Sequence, residues 1–277
     1  LLAAVEERTA REKREATVGR STPPSARNGT APSSLVRAPR YTKPMKEAGW
    51  TVLSPQLAPL HLDLLTEAFR RSGYNLQLLP VAGPSAVEEG LRHVNNDACY
   101  PAVIAIGQVM EALASGGHDP DRTAVILTQT GGVCRATNYV ALLRKALADS
   151  GLGHVPVISL TAANTGETSP GFSVTSPLLL RGLAAVVYAD TLSRCLYRTR
   201  PYEATPGSAA ALVADWSERA KQALRGRLDV SRYVEGLRSM VADFDTLPLV
   251  GGRRPRVGIV GEILVKYHPD ANNHLVE

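Results

Sequence analysis

Short apolar runs alternate with segments of helical periodicity between Gly49 and about Leu160. The apolar runs predict strands at residues 50–53, 75–80, 124–127 and 155–160. Apolar spacing of three and four residues predicts helices at residues 61–71, 85–91, 100–115 and 136–149. Because strands that alternate with helices form parallel sheets, we expect an α/β fold with a doubly wound parallel sheet and helices on both faces.

The pattern changes after Leu160. A polar, glycine-rich loop at 161–175 precedes predicted helices at 176–198, 208–225 and 231–244, with Ser208 as the N-cap of the second. The run 256–260 then predicts a strand, followed by Gly261-Glu262. We therefore expect a first α/β lobe at 49–160, a helical insertion at 161–255, and at 256–277 the start of a second α/β lobe that is incomplete at Glu277.

Residues 1–48 differ in composition from the rest of the chain. Residues 6–20 predict a short charged helix, and 21–44 are rich in Ser, Thr, Pro, Gly, Ala and Arg, which indicates a flexible linker. Ten of the 31 basic residues and four of the 26 acidic residues lie before residue 47, so the remainder is close to neutral. The basic charge thus belongs to a solvated tail, and we expect no nucleic-acid partner. The linker and the initial Leu suggest a fragment of a larger chain.

The remaining bulk properties indicate a cytoplasmic protein. No apolar run reaches the roughly 18 residues of a membrane span, and the N-terminus lacks the pattern of a signal peptide. Three cysteines in 277 residues do not form the dense, even set of a secreted disulfide framework. We expect these thiols to be buried, catalytic or metal-bound.

Two of the cysteines occupy similar positions. Cys99 immediately precedes the helix predicted at 100–115, and Cys134 lies between a buried strand and the next helix. Ligands of open α/β sheets gather at the carboxyl ends of strands, where such turns lie. The positive end of a helix dipole, together with Arg135, favours the thiolate that metal binding and nucleophilic chemistry require. Gly131 and Gly132 would let backbone N–H groups approach a cluster sulfide or an anionic substrate.

Alternatives remain open at each position. Cys99 and Cys134 could equally be small buried residues in turns, because free cysteine is common in protein cores and neither motif is a CxxC. Cys195 lies in a long apolar helix and is predicted to fill the core, although Arg194 and Arg198 leave a ligand function open. No phosphate-binding glycine loop is present, and the six histidines lack metal-ligand spacing.

Two further segments are candidates of lower rank. His268 stands near Asp270 in a segment predicted to be a polar loop. The segment 198–203 ends a helix with arginines, which the helix dipole explains, and a phosphate-bearing ligand is the second interpretation.

Several longer motifs carry a family resemblance. They are Tyr74-Asn75, Val94-Asn95-Asn96-Asp97-Ala98-Cys99-Tyr100-Pro101, Gly107-Gln108, Gln129-Thr130-Gly131-Gly132, Cys134-Arg135-Ala136-Thr137-Asn138-Tyr139, the segments 155–160 and 197–203, and Val260-Gly261-Glu262-Ile263. From about Gly49 to the C-terminus, the chain resembles the acyl-CoA dehydratase activase-related proteins, which are related to the D component of 2-hydroxyglutaryl-CoA dehydratase.

The resemblance implies two lobes of Rossmann-like topology with an oxygen-sensitive iron–sulfur cluster, [4Fe–4S] or a double cubane, between them. Cys99 and Cys134 match the cluster ligands, whereas Cys195 does not clearly match a third. The implied function is that of an iron–sulfur component of a 2-hydroxyacyl-CoA dehydratase or a related ATP-coupled low-potential reductase, a lyase system of anaerobic metabolism. Electrons would come from an ATP-dependent activase domain or subunit, and an acyl-CoA would be the substrate.

Two other functions remain open, and one expectation concerns the assembly state. The chain could be a non-catalytic electron-relay or docking domain of a larger activase polypeptide, or a metal-free α/β binding module. We expect a dimer or a part of a larger chain.

Overall fold

A parallel β-sheet forms the centre of the protein. The computed structural model describes residues 38–95, 98–130, 134–161, 169–252 and 254–276. Within these residues the sheet has four strands in the order β2-β1-β3-β4: β1 (Thr51–Ser54), β2 (Asn75–Leu78), β3 (Thr123–Gln129) and β4 (Val157–Thr161). All three pairings are parallel, with Val52 opposite both Leu76 and Ala124, and Val125 opposite Val157. The predicted α/β class and the parallel sheet are confirmed.

Helices connect the strands and extend beyond them. The described helices are α1 (Lys43–Glu47), α2 (Pro59–Arg71), α3 (Pro84–His93), α4 (Tyr100–Ala114), α5 (Tyr139–Asp149), α6 (Ser176–Thr199), α7 (Ser208–Arg225), α8 (Val230–Asp245) and α9 (Ile263–Tyr267). Single 3-10 turns lie at Pro120–Arg122, Arg135–Asn138, Arg200–Tyr202 and Asp270–Asn272. Pro at the first or second position begins α2, α3, α4 and α6, because its missing N–H costs nothing there.

Successive strand residues face two different apolar clusters, as the alternation of side chains along a strand requires. Val52 and Ile126 belong to a cluster that includes Ala68 of α2 and Leu178 of α6. Their neighbours in sequence, Leu53 and Leu127, belong to a cluster built with α4 and α5. Apolar side chains therefore pack against both faces of the sheet.

The helices α3 and α4 cross at very short backbone distance. A Cβ atom built on Gly107 would lie 1.8 Å from the carbonyl oxygen of Ala86, and one built on Gly90 would lie 2.1 Å from that of Val103. Only glycine allows this approach. The close crossing keeps α4 buried along most of its length, with every residue from Pro101 to Met110 buried.

A third apolar cluster joins α2 to the helices α6, α7 and α8. At its border the Glu67 carboxylate, 2% exposed, accepts two hydrogen bonds from the Arg225 guanidinium at 2.8 and 2.9 Å and one from Arg70 at 3.0 Å. Arg225 lowers the pKa of Glu67 below the ordinary 4.5, against the opposing effect of burial. This bidentate pair fixes α7 to α2.

The structure differs from the sequence prediction at the N-terminal boundary. Residues 38–48 were expected to belong to the linker, but Tyr41 is fully buried beside Val52 and Tyr74, and α1 follows directly. A lone apolar residue in a polar stretch carries no periodicity from which this could be predicted. The helix predicted at 6–20 and the rest of 1–37 lie outside the described residues.

Two local predictions near α5 and α7 are also corrected. The helix expected from residue 136 begins as a 3-10 turn, and α5 proper starts at Tyr139. The N-cap of α7 is Gly207, with φ 89°, rather than Ser208. The Glu203 carboxylate supplies the cap, because it accepts from the N–H groups of Gly207 and Ala209 at 2.8 Å each.

The strand predicted at 256–260 is wrong. Residues 254–260 form no regular element, and Val257 and Val260 are 86% and 92% exposed. The segment that follows packs on the first sheet's helices instead, since Leu264 contacts Ala86 and Ile104. Among the described residues, the expected second lobe thus has no strand.

No helix in the described part of the chain is both long and apolar enough to cross a lipid bilayer.

Candidate functional site

The strand order makes β1 and β3 neighbours at the centre of the sheet. The chain leaves β1 toward β2 on one side and β3 toward β4 on the other, so the connections diverge between β1 and β3. In open parallel sheets, ligands bind outside the carboxyl ends of the strands at this point. The loop after β1 begins at Pro55, and the loop after β3 leads to Cys134.

A glutamine of α4 holds the loop after β1. The Gln56 N–H donates to Gln108 Oε1 at 2.7 Å, and Gln108 Nε2 donates to the Gln56 carbonyl oxygen at 3.1 Å. Both residues are buried, and Gln56 Oε1 has no hydrogen-bond partner within the described residues. The Gly107-Gln108 motif thus has two structural functions: the glycine permits the helix crossing, and the glutamine fixes this loop.

Cys99 lies at the N-cap of α4, in extended backbone with φ −67° and ψ 146°. Its half-buried side chain packs against the apolar cluster of α4 and α5, and its Sγ lies 3.0 Å from Tyr139 Oη. Tyr139 is the first residue of α5 and is 8% exposed. The two residues are 40 positions apart in sequence, so the packing of α4 against α5 makes this contact.

Cys134 is the N-cap of the 3-10 turn Arg135–Asn138, and its side chain is exposed. Gln129, the last residue of β3, holds this turn by donating through Nε2 to the Thr137 carbonyl oxygen. Ser159 of β4 donates in turn to Gln129 Oε1 at 2.7 Å. The turn that carries Cys134 is therefore tied to the carboxyl ends of two strands.

The electrostatics of Tyr139 show which groups surround it. Burial raises the pKa of its hydroxyl most, followed by the hydrogen bond with Cys99, and the charges of Cys99, Glu262 and Cys134 raise the pKa further. Glu262 caps α9, since its carboxylate accepts from the Val265 N–H at 3.0 Å. Both predicted cysteines and Glu262 thus contribute to raising the pKa of one buried tyrosine hydroxyl.

The other predicted ligand residues are placed as follows. Arg135 is exposed beside Cys134, whereas Gly131 and Gly132 lie outside the described residues. Cys195 packs in the helical cluster of α6, α7 and α8, where burial, with Asp245, raises the pKa of its thiol against the opposing effect of Arg198 and Arg194. This position agrees with the prediction that the Cys195 side chain fills the core.

Metal ligands are few in the described ranges. No group of three or more His, Cys, Asp or Glu side chains there could hold a metal ion. Cys99 and Cys134 suit iron by their chemistry, because thiolates are the usual ligands of iron–sulfur clusters. They account for two ligands, and the part of the chain described here adds no third.

The sequence predicted a polar loop around His268, but the structure places this residue in a buried position. Its side chain is fully buried, and the Ala271 N–H lies 3.2 Å from Nδ1 while the Ala82 N–H lies 3.4 Å from Nε2. Burial lowers the pKa of His268 from the ordinary 6.5, against the opposing charge of Asp270. His268 thus fixes the C-terminal segment to the loop after β2.

The arginines of 198–203 make protein contacts. Arg200 donates to the Val276 carbonyl oxygen at 2.6 Å, and Arg198 lies 3.7 Å from Asp245. Helix capping and internal contacts explain this segment without a phosphate.

Sequence reasoning assigned no function to Tyr139, Gln129 or Glu262. All three residues stood inside the motifs that carried the family resemblance, which was the only available signal. Glu262 follows the segment that was predicted to be a strand, so its influence on Tyr139 depends on how α9 packs.

Comparisons of the chain with protein-family models, with curated proteins and with solved structures found no match.

Proposed function

We propose that this chain is the iron–sulfur component of a 2-hydroxyacyl-CoA dehydratase or a related ATP-coupled low-potential reductase, with Cys99 and Cys134 as cluster ligands. One observation carries the proposal: Cys99 is the N-cap of α4, Cys134 is the N-cap of the 3-10 turn that leads into α5, and Cys99 Sγ lies 3.0 Å from Oη of Tyr139, the first residue of α5. The family resemblance of the motifs around both residues gives the proposal its reaction class.

The sheet suits this function by its topology. In the proposed fold it is a doubly wound, Rossmann-like lobe, and the cysteines lie near the carboxyl ends of its strands, where such lobes hold cofactors. When bound, the cluster would supply one electron to a thioester. The protein would supply two thiolates, partial burial of Cys99 and a fixed position for Cys134.

The remaining ligands must come from elsewhere, since two thiols do not complete a cluster. In the proposal they are supplied by residues outside the described ranges, by a partner chain or by the substrate. An ATP-dependent activase domain or subunit delivers the electron, and an acyl-CoA receives it.

The test is the iron and acid-labile sulfide content of anaerobically purified protein, together with its visible spectrum. Cys99→Ser and Cys134→Ser should each lose most of the iron and sulfide. Cys195→Ser is the matched control and should retain both, because its thiol lies in the helical cluster. Iron-free protein, or iron that survives in both site variants, would refute the assignment.

An electron-relay domain of a larger activase polypeptide is the alternative within the same chemistry. It would retain the cluster, but the protein would neither bind nor turn over a thioester when mixed with its partners. Thioester turnover assays on loaded protein separate the two.

A metal-free binding module is a second candidate, favoured by the unpartnered Gln56 Oε1 at the switch point. A buried amide oxygen without a donor costs about 1–3 kcal/mol, which a bound ligand with an N–H or O–H could recover. Under this alternative, Cys99→Ser and Cys134→Ser would change stability slightly and leave ligand binding intact.

A further inference from the structure

A cavity of about 120 Å³ lies between the sheet and α2, near the carboxyl ends of the strands. The buried Leu76 and Ile126 line it from the sheet, and Leu65 and Phe69 line it from α2. Leu76 and Ile126 belong to the apolar cluster on this face of the sheet. The exposed Thr128 also lines the cavity, so the space opens to solvent at the carboxyl end of β3.

The residues at the ends of the two central strands explain why the packing leaves this space. Ser54 ends β1, and Thr128 is the last residue but one of β3. Each follows an apolar residue of the α2 face by two positions, Val52 and Ile126 respectively, and therefore points to the same face. Serine is smaller than valine and threonine is smaller than isoleucine, so the sheet fills less of the space under α2 at its carboxyl end.

The chemistry of the lining favours an uncharged, apolar ligand group. None of the described residues that line the cavity is charged. The buried Thr66 hydroxyl already donates to the Leu62 carbonyl oxygen at 2.8 Å, and Ser54 Oγ donates to the Pro55 carbonyl oxygen at 3.4 Å. A polar atom placed deep in this cavity would give up hydrogen bonds to water without replacing them, which is costly. A hydrocarbon group has none to lose and gains dispersion contacts with the lining.

The volume limits the size of the group that the cavity can hold. An apolar cavity of about 150 Å³ holds benzene, which has six carbon atoms. In proportion, the volume of about 120 Å³ accommodates about five carbon atoms.

We propose that this cavity binds the hydrocarbon part of a small ligand, an aliphatic chain of about five carbon atoms, with the polar end of the ligand at the opening beside Thr128. The position agrees with the rule that open parallel sheets bind ligands outside the carboxyl ends of their strands. The inference needs neither Cys99 nor Cys134, so it stands independently of the proposed cluster.

The test is a series of straight-chain primary alcohols from ethanol to octanol, titrated into the full chain and followed by methyl NMR. Affinity should rise about fourfold with each added CH₂ group and level off near pentanol, because further carbon atoms remain in water. The shift changes should concentrate on the methyl groups of Leu76 and Ile126. Affinity that keeps rising through octanol, or shift changes centred on exposed leucines such as Leu179 and Leu183 of α6, would overturn the proposal.

Two variants and a control connect binding to the cavity. Leu78→Trp places a larger side chain in the lining and should weaken pentanol binding about tenfold or more, the equivalent of roughly two buried CH₂ groups. Ile126→Val removes one carbon atom from the buried lining, so affinity should level off one carbon later, near hexanol. Leu180→Trp is the matched control and should keep the original series, because Leu180 is 59% exposed on α6. Unchanged pentanol affinity in folded Leu78→Trp, or an unmoved limit in Ile126→Val, would contradict binding in this cavity.

Discussion

The crossing of α3 and α4 gives the sharpest stability prediction, through Gly107→Ala. The added methyl group would lie 1.8 Å from the Ala86 carbonyl oxygen and 2.8 Å from both the Ala86 carbonyl carbon and the Gly90 nitrogen. All three obstacles are backbone atoms, so no side chain can rotate away. The two helices must separate until these distances reach at least 3.0 Å, the lower limit for real Cβ contacts.

The magnitude follows from two opposing contributions. Alanine is favoured over glycine inside a helix by about 1 kcal/mol. Overpacking of a well-packed core costs about 1–3 kcal/mol and occasionally more. Because the obstacle is backbone and α4 is buried from Pro101 to Met110, we place the cost at the upper end and expect a net loss of about 2 kcal/mol.

Chemical denaturation of metal-free protein measures this loss, and Gly182→Ala is its matched control. Gly182 lies inside α6, and a Cβ there would meet only Leu65 Cδ2 at 3.6 Å, an ordinary contact. Gly182→Ala should therefore raise the free energy of unfolding by about 0.5–1 kcal/mol. A Gly107→Ala protein as stable as the unmodified chain would refute the close crossing on which the position of Cys99 depends.

Three further predictions concern charge and burial. The pKa of Glu67 is lowered, so its ion pair contributes fully to stability above about pH 4.5 and this contribution is lost as the pH falls through the lowered value. In urea unfolding at several pH values, Glu67→Gln should remove this part of the dependence of stability on pH. The control Glu235→Gln, at an exposed position, should retain it. The pKa of His268 is also lowered, so the unfolded chain binds the extra proton and stability should fall as the pH drops below about 6.5. In thermal unfolding at several pH values, His268→Gln should weaken this dependence. If His268→Gln showed the same dependence on pH as the control His154→Gln, at an exposed position, the buried position of His268 would be contradicted. Tyr41→Ala should lower the free energy of unfolding, measured in urea, by about 3 kcal/mol, because it empties a fully buried site. A loss under about 1 kcal/mol would indicate that residues 38–48 belong to the linker after all.

Local patterns were sufficient for most elements of the fold. Short apolar runs predicted the four strands and period-3.6 spacing predicted the long helices, because the segments that become buried carry apolar residues in their own sequence. The prediction failed at 256–260, where the apolar pattern of a strand is present without a neighbour to accept its backbone hydrogen bonds. A strand is a property of a pair, and a single segment cannot specify its partner.

The candidate site likewise has features that the sequence predicted and features that only the structure shows. The sequence by itself predicted the parallel α/β class, which the structure confirms, and the two candidate cysteines ahead of helices. Only the tertiary structure decided that Cys99 contacts Tyr139, that Gly107 permits a helix crossing, that Gln108 fixes the loop after β1, and that Glu262 raises the pKa of Tyr139. These contacts join residues far apart in the chain, and their distances depend on how whole helices pack, which no local pattern encodes.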